Sequence, residues 1–161
     1  MSFLKWTAIV IVALAVLLLL AGQLGLLQGR PPRDLGVQDG KLKRPSFTPN
    51  SVTSQAELWP DHPQRDEARI APLPISGGGT ETLARIKAIA EAMPGAKVVE
   101  SRPDYLYVQF TTRLLKFVDD AEFWFDSKAG VVQVRSSSRV GRKDFGVNRE
   151  RIEAIRTQLA R

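Results

Sequence analysis

The chain begins with an apolar run, residues 6–27, that is long enough to cross a lipid bilayer. Within this run only Thr7, Gly22, Gln23 and Gly25 are not hydrophobic. A helix rises about 1.5 Å per residue, so the run would extend about 33 Å, close to the roughly 30 Å of a hydrocarbon core. The run therefore predicts an uncleaved membrane anchor over residues 1–29, with residues 6–27 as the span.

The apolar run has two alternative interpretations. A cleaved secretory signal is the first, because Lys5 precedes the apolar run as in the charged start of a signal. Residues 20–23 also resemble a lipoprotein signal, but Gln23 stands where the lipidated cysteine would be. The run is longer than the apolar part of a typical signal, which favours the anchor. The second alternative is a helix buried in a soluble core.

The charges that flank the run leave its orientation open. Lys5 precedes it, whereas Arg30, Arg33 and further cations follow it. Counted alone, these residues would keep the C-terminal part in the cytoplasm. Long domains, however, translocate largely regardless of charge, so the count does not decide the side.

Composition limits the class of protein. There is no cysteine, so disulfide and cysteine–metal scaffolds are excluded, and the single histidine, His62, cannot build a histidine-rich metal site. The net charge of +6 is modest. Beside a bilayer, such an excess fits anionic lipid better than nucleic acid. We therefore expect no cofactor, no metal and no nucleic-acid partner.

Residues 30–76 form a proline-rich segment. It holds most of the ten prolines of the chain. Proline removes a backbone donor and fixes φ, which excludes a long helix or a central strand. The segment is predicted to be either a free linker or a strap on the domain, and large side chains such as Trp59 and Ile70 favour the strap.

Residues 77–161 are predicted to form the core domain. Apolar residues at helical spacing predict a helix over 80–93, ended by Pro94 and Gly95. Residues 97–137 alternate with a period of two and predict four antiparallel strands in a meander. Asn148 can cap the start of a last helix, in which Ile152, Ile155 and Leu159 form one apolar stripe. The expected fold class is α+β, with two layers: a four-stranded antiparallel sheet, one face solvated, and two helices on the other face.

The polar segment between the last strand and the last helix is the first candidate site. Its cations, hydroxyls and helix N-terminus could hold a carboxylate or a phosphate. The predicted ligand-binding residues are Arg135, Ser136, Ser138, Arg139, Asp144, Asn148 and Arg149. The alternative is that the same arginines pair with nearby carboxylates and only stabilise the connection.

Three carboxylates at the start of the third strand form the second candidate site. Asp119, Asp120 and Glu122 could do acid–base work or hold a hard cation. In a strand, Asp120 and Glu122 share a face while Asp119 points to the other, so the three do not converge. No nucleophilic cysteine and no serine in a nucleophile elbow accompany them.

Two parts of the chain resemble a known family. They are Leu35–Gln55, with Asp39-Gly40-Lys41-Leu42 and Pro49-Asn50-Ser51, and the downstream stretches Asp119–Phe123 and Arg135–Arg149. Over roughly residues 34–157 the sequence is similar to domain of unknown function 1499, a family of bacterial envelope and plastid proteins. The resemblance implies an export signal or anchor, and hence a bacterial inner-membrane protein whose C-terminal domain faces the periplasm.

This chain departs from the family pattern at two positions. Typical members have two cysteines where this chain has Arg44 and Ser51. The joint absence is what a disulfide or a two-thiolate ligand pair would predict. If the family's activity needs that pair, this chain lacks it; if the pair only tied down the segment, the function persists.

The resemblance carries no reaction, so function is predicted from the residues. The leading prediction is a non-catalytic accessory domain, held in the membrane by residues 6–27, that binds an envelope protein partner, anionic lipid or a small anion. The alternative is a hydrolase or lyase that uses Asp119, Asp120 or Glu122 beside Arg135 and Arg139.

Overall fold

Helix α1, Phe3–Gln23, contains residues 6–23 of the apolar run, with most side chains exposed, and the last four residues of the run, 24–27, lie in turns. The computed structural model describes residues 3–161, so the first two residues of the predicted anchor, 1–29, lie outside the described residues. By length and composition the helix could cross a membrane, and a signal sequence near the N-terminus would look the same.

The remaining elements follow α1 in an α+β order. The proline-rich segment contains β1 (Ser51–Thr53), a short 3₁₀ helix (Ala56–Leu58), α2 (Arg65–Ala68) and β2 (Leu73–Pro74). The later part contains α3 (Gly79–Glu91), β3 (Ala96–Ser101), β4 (Tyr105–Thr111), β5 (Val118–Asp126), β6 (Val131–Ser138) and α4 (Val147–Leu159). The α+β class is confirmed, as is the order of helix, four strands and helix in residues 77–161.

The sheet has six strands, so the expected four-stranded sheet is wrong. The predicted antiparallel meander β3–β4–β5–β6 is present. In addition, β1 and β2 both pair antiparallel with β6, at different places along it. These two strands contain only three and two residues. Strands so short cannot display a period of two, and the prolines around them conceal them further.

The main core lies between one face of the sheet and helices α3 and α4. The sheet contributes alternate residues of β4 to β6, such as Val108 and Phe123, and the helices contribute Ile86 and Ile152, all fully buried. Alternation is expected because successive side chains of a strand point to opposite faces. Ser136 and Asp119 therefore also face the helices.

The opposite face of the sheet is covered as well, so the expectation of one solvated face is wrong. Residues 30–50, called the covering segment below, lie across it. Leu42 is only 2% exposed and packs with Tyr105 and Tyr107 of β4. The Leu42 N–H donates to the Gln55 side chain over 2.8 Å. Because the covering segment has no regular period, hydrophobic patterning could not assign it to a face.

The turn between α3 and β3 requires glycine at position 95. Gly95 has φ +75°, which favours glycine, and a Cβ there would lie 2.1 Å from the Thr111 carbonyl oxygen. This turn brings β3 beside the end of β4. It explains why the predicted stop at Pro94 and Gly95 coincides with the change from helix to strand.

Candidate anion-binding cleft

The three acidic residues of β5 are each paired with a different arginine. Asp119 faces the helices and lies 2.7 Å from Arg151 of α4. Asp120 and Glu122 face the covering segment, where their partners are Arg139 at 2.7 Å and Arg135 at 3.6 Å. Strand alternation separates Asp119 from the other two, as the sequence predicted.

Asp120 is the centre of a buried hydrogen-bonded group. The Arg139 guanidinium donates to both oxygens of Asp120, over 2.8 and 2.7 Å. The Tyr107 hydroxyl also donates to Asp120, and the Gln109 amide donates to that hydroxyl over 2.8 Å. Such bidentate contacts are among the stronger charge-assisted hydrogen bonds. They hold the residue that follows β6 against β5 and β4.

Glu122 and Arg135 form a less complete pair. Glu122 Oε1 accepts from the Gly36 N–H over 2.7 Å and from the Tyr105 hydroxyl over 2.8 Å. Within the described residues, Oε2 accepts no hydrogen bond, and Arg135 Nη1 stands 3.6 Å away. The Arg135 Nε donates instead to the Arg44 carbonyl over 3.3 Å. The pair therefore joins the sheet to the covering segment at two points, Gly36 and Arg44.

Burial shifts the pKa of each group in this pair in the direction that favours the neutral form of that group. Loss of solvation raises the pKa of Glu122, and Arg135 offsets only part of that effect. Loss of solvation likewise lowers the pKa of Arg135, against the attraction of Glu122. Burial also raises the pKa of the Tyr105 hydroxyl, which stays protonated and able to donate. The pair is thus held together at a cost in solvation.

Asn148 joins β6 to α4 on the helix-covered face. Its side-chain oxygen accepts from the Ser136 hydroxyl over 2.5 Å and from Arg151 over 2.9 Å. Its amide donates to Asp144 over 2.8 Å and to the Asn50 carbonyl over 3.2 Å. Ser136 and Asn148 are fully buried. Their polar groups are satisfied inside the fold and face away from the covering segment.

Asp144 and Arg149 also bond within the fold. Asp144 accepts from the backbone N–H of Gly146 and of Asn148, over 3.2 and 3.0 Å, and so holds the start of α4. Arg149 donates to the carbonyls of Glu67 and Arg69, over 2.7 and 2.9 Å. Four of the seven predicted ligand-binding residues therefore lie in structural contacts.

The other three predicted residues, Arg135, Ser138 and Arg139, line a cleft of about 330 Å³ between the covering segment and the end of β6. Its lining contains five cationic residues and one acidic residue, with three serines among the rest. The full lining is Arg30, Pro32, Lys43, Arg44, Pro45, Ser46, Phe47, Asp120, Arg135, Ser137, Ser138 and Arg139.

The covering segment contributes cations that are absent from the predicted set of ligand-binding residues. Lys43 pairs with Asp34 at 2.5 Å. Arg30 and Arg44 are exposed, and neither takes part in an ion pair among residues 3–161. These residues lie roughly 90 to 110 positions before Arg139, so no local pattern connects them to it. The one available signal was Arg44, which occupies a cysteine position implied by the family resemblance.

The second such position, Ser51, lies in β1. Its hydroxyl accepts from the Ser46 N–H over 2.9 Å. Both positions thus help to hold the covering segment at the rim of the cleft: Arg44 through its carbonyl and Ser51 through its hydroxyl.

The carboxylates give the hydrolase hypothesis no geometric support. Asp120 reaches the cleft, but its two oxygens are taken by Arg139 and Tyr107. Glu122 lies outside the cleft lining, and Asp119 is on the other face. Among residues 3–161 no three histidine or acidic side chains are grouped to hold a metal ion. The arrangement is suited to attracting an anion.

The fold and the cleft define a class of protein: an α+β domain with a cationic cleft under a covering segment, preceded by an apolar helix. The chain belongs to the family described as protein of unknown function DUF1499, whose model matches residues 41–159. This confirms the resemblance seen in the sequence. No curated protein and no solved structure is significantly similar to the chain.

Proposed function

We propose that this protein is a membrane-anchored, non-catalytic accessory protein of the bacterial envelope that binds an anionic ligand in the cleft. The observation that carries the proposal is the cleft lining, with five cations against one carboxylate. The ligand chemistry is a phosphate or carboxylate group. Guanidinium groups bind both through two parallel hydrogen bonds.

Two of the five lining cations have no ion-pair partner within the described part of the chain and are therefore able to bind an anion. Arg139 is paired with Asp120, Lys43 with Asp34 and Arg135 with Glu122. Arg30 and Arg44 have no such partner among residues 3–161. Ser46 and Ser137 add hydroxyl groups to the lining, whereas the Ser138 hydroxyl accepts from the Asn148 amide over 3.0 Å. A concave site with a few convergent polar donors is the usual form of a small-ligand site. The cations come from both sides of the cleft, as clamping a ligand requires.

The anchor and the orientation are part of the same proposal. α1 has the length and mean hydropathy, 2.6, of a membrane span. The exposed leucines and valines of α1 would otherwise stand in water. The family resemblance favours the periplasmic side for the domain, and the inner membrane as its location.

The test is a calorimetric titration of the full chain in neutral detergent micelles, first with inorganic phosphate and then with acetate. A third titration uses a soluble short-chain phosphatidylglycerol. Replacing Arg30 and Arg44 by alanine should weaken binding of the anion by about tenfold or more, since a charge-assisted hydrogen bond contributes about 1.5–3 kcal/mol. The three arms distinguish free phosphate, carboxylate and lipid headgroup as the source of the anion.

The matched control is Arg102→Ala with Lys128→Ala. These substitutions also remove two cations, but from turns at the opposite end of the sheet. The control should bind like the unaltered chain. Equal weakening in both double variants would show that net charge, and not the cleft, determines binding. If neither the unaltered chain nor the control binds the anion, the cleft is rejected as a site. Capture of a protein partner that depends on Arg30 and Arg44 would instead favour a protein ligand.

Orientation is tested separately with a phosphatase reporter fused after Arg161. Periplasmic phosphatase activity is expected from a domain outside the cytoplasm. A fusion that is produced but has no periplasmic phosphatase activity would refute the proposed orientation. It would leave the proposed anion binding by the cleft untouched.

A further inference from the structure

The loop between β4 and β5, residues 112–117, is packed against the C-terminal end of α1. The Gln23 side chain donates to the Leu114 carbonyl over 2.8 Å. A Cβ at Gly22 would lie 2.8 Å from the Leu115 Cα, so the loop backbone and the helix touch where only glycine fits. The loop is thus held at the last turn of the apolar helix.

After Thr112, every side chain of this loop is apolar or cationic. Leu114 is 64% exposed, beside the exposed Arg113, and Lys116 follows two residues later. No acidic residue occurs between Tyr105 and Val118. A leucine presented between cations, without a carboxylate nearby, has the composition that binds an anionic membrane surface.

The position of the loop along α1 gives its depth in a bilayer. α1 contains 21 residues, so its length of about 32 Å matches the roughly 30 Å hydrocarbon core. Its last residue, Gln23, then lies at the boundary with the headgroups. A loop bonded to Gln23 lies at the same level, where a leucine can reach the acyl chains and cations can reach the phosphates.

The neighbouring loop at the same end of the sheet has a similar character. β4 and β6 run in the same direction, so the loop after Ser138 leaves the sheet beside residues 112–117. It exposes Val140 and Phe145, the latter 90%, together with Arg142 and Lys143. The end of the domain nearest α1 therefore presents apolar and cationic side chains together.

We propose that residues 112–117 form a membrane-binding loop. Leu114 inserts into the bilayer surface beside α1, and Arg113 and Lys116 contact the phosphates of anionic phospholipids. The loop thereby fixes the domain against the membrane instead of leaving it on a free tether. This inference rests on the proposed anchoring of α1.

The experiment uses the absence of cysteine from the sequence. Full-length Leu114→Cys, labelled with the fluorophore NBD, is reconstituted into phosphatidylcholine vesicles with or without phosphatidylglycerol. Spin-labelled lipids serve as quenchers of the membrane-exposed fluorophore. Labels at Leu14→Cys in α1 and at Ala129→Cys, in the turn at the opposite end of the sheet, are the matched controls.

We expect quenching and a blue-shifted emission at position 114, more in vesicles with phosphatidylglycerol, and neither at position 129. Arg113→Ala with Lys116→Ala should lower the ratio of inserted to free loop by about 25-fold, because each cation near an anionic surface contributes a factor of about five. Removal of two cations at Arg102 and Lys128 should leave the ratio unchanged.

The outcomes separate this inference from the anchor. Quenching at position 14 with an aqueous signal at 114 would overturn the membrane-binding loop and leave the anchor in place. An aqueous signal at both positions would overturn the anchor and the loop together. Quenching at position 114 that the double alanine variant does not reduce would overturn the role of the two cations.

Discussion

Replacing Arg135 by methionine should strongly destabilise the domain at neutral pH, because it leaves the Glu122 carboxylate buried without its cation. Both side chains are almost inaccessible, with 4% and 0% exposure. At 3.6 Å and an effective dielectric constant near 20, two unit charges attract by about 4–5 kcal/mol. Losing one partner of a buried pair costs about 3–5 kcal/mol, so we expect a loss of that size in the free energy of unfolding.

The loss should depend on pH in a defined direction. Burial raises the pKa of Glu122 above its ordinary value of 4.5, and removing Arg135 raises that pKa further. Below pH 4.5 the carboxyl is protonated in both folded and unfolded chains, and no charge is buried. As pH rises from there to the raised pKa, the unfolded chain releases its proton first and stability falls. The variant should therefore be less destabilised at low pH than at pH 7.

A second substitution shows whether the charge is the cause. Glu122→Gln removes the carboxylate but keeps a side-chain oxygen for the Gly36 N–H and the Tyr105 hydroxyl. Added to Arg135→Met, it should restore most of the lost stability. Urea unfolding of the full chain in detergent micelles measures all variants, with Arg102→Met, an exposed arginine, as the control. No recovery in the double variant, or a cost for Arg135→Met equal to the control, would refute a charged buried pair.

Three further predictions concern the stability of the domain. Asn148→Ala should lower the free energy of unfolding by about 2–4 kcal/mol in the same urea assay, because it leaves several buried partners without a hydrogen bond. Gly95→Ala should be clearly more destabilising than Gly130→Ala: both positions have positive φ, but only at Gly95 would the Cβ meet backbone, and equal melting temperatures would contradict this. Burial opposes ionisation of Asp144, yet hydrogen bonds from the Asn148 and Gly146 N–H groups lower its pKa below 3.8 overall. The contribution of the Asp144 carboxylate to stability should be present above pH 3.8 and lost as the pH falls through its lowered pKa. Asp144→Asn should therefore flatten the acid limb of the stability–pH profile.

Local patterns were sufficient for the helices and strands of residues 77–161, but not for the short elements of the proline-rich segment. The period of two in residues 97–137 predicted the meander, and the stop at Pro94 and Gly95 predicted the end of α3. Strand alternation also predicts that Asp119 lies on the face opposite to Asp120 and Glu122, as the structure has it. Each of these inferences uses neighbours within a few positions, where backbone geometry fixes the relation between side chains.

The sequence by itself also determined the apolar helix, the α+β class and the family. The tertiary structure alone decided how residues distant in sequence meet. It added β1 and β2 to the sheet and placed the covering segment over the second face. It divided the predicted ligand-binding residues between structural contacts and a cleft, and it brought Arg30 and Arg44 to the latter. The physical reason is that segments without a period reveal no face of their own, so only packing against the sheet selects their partners.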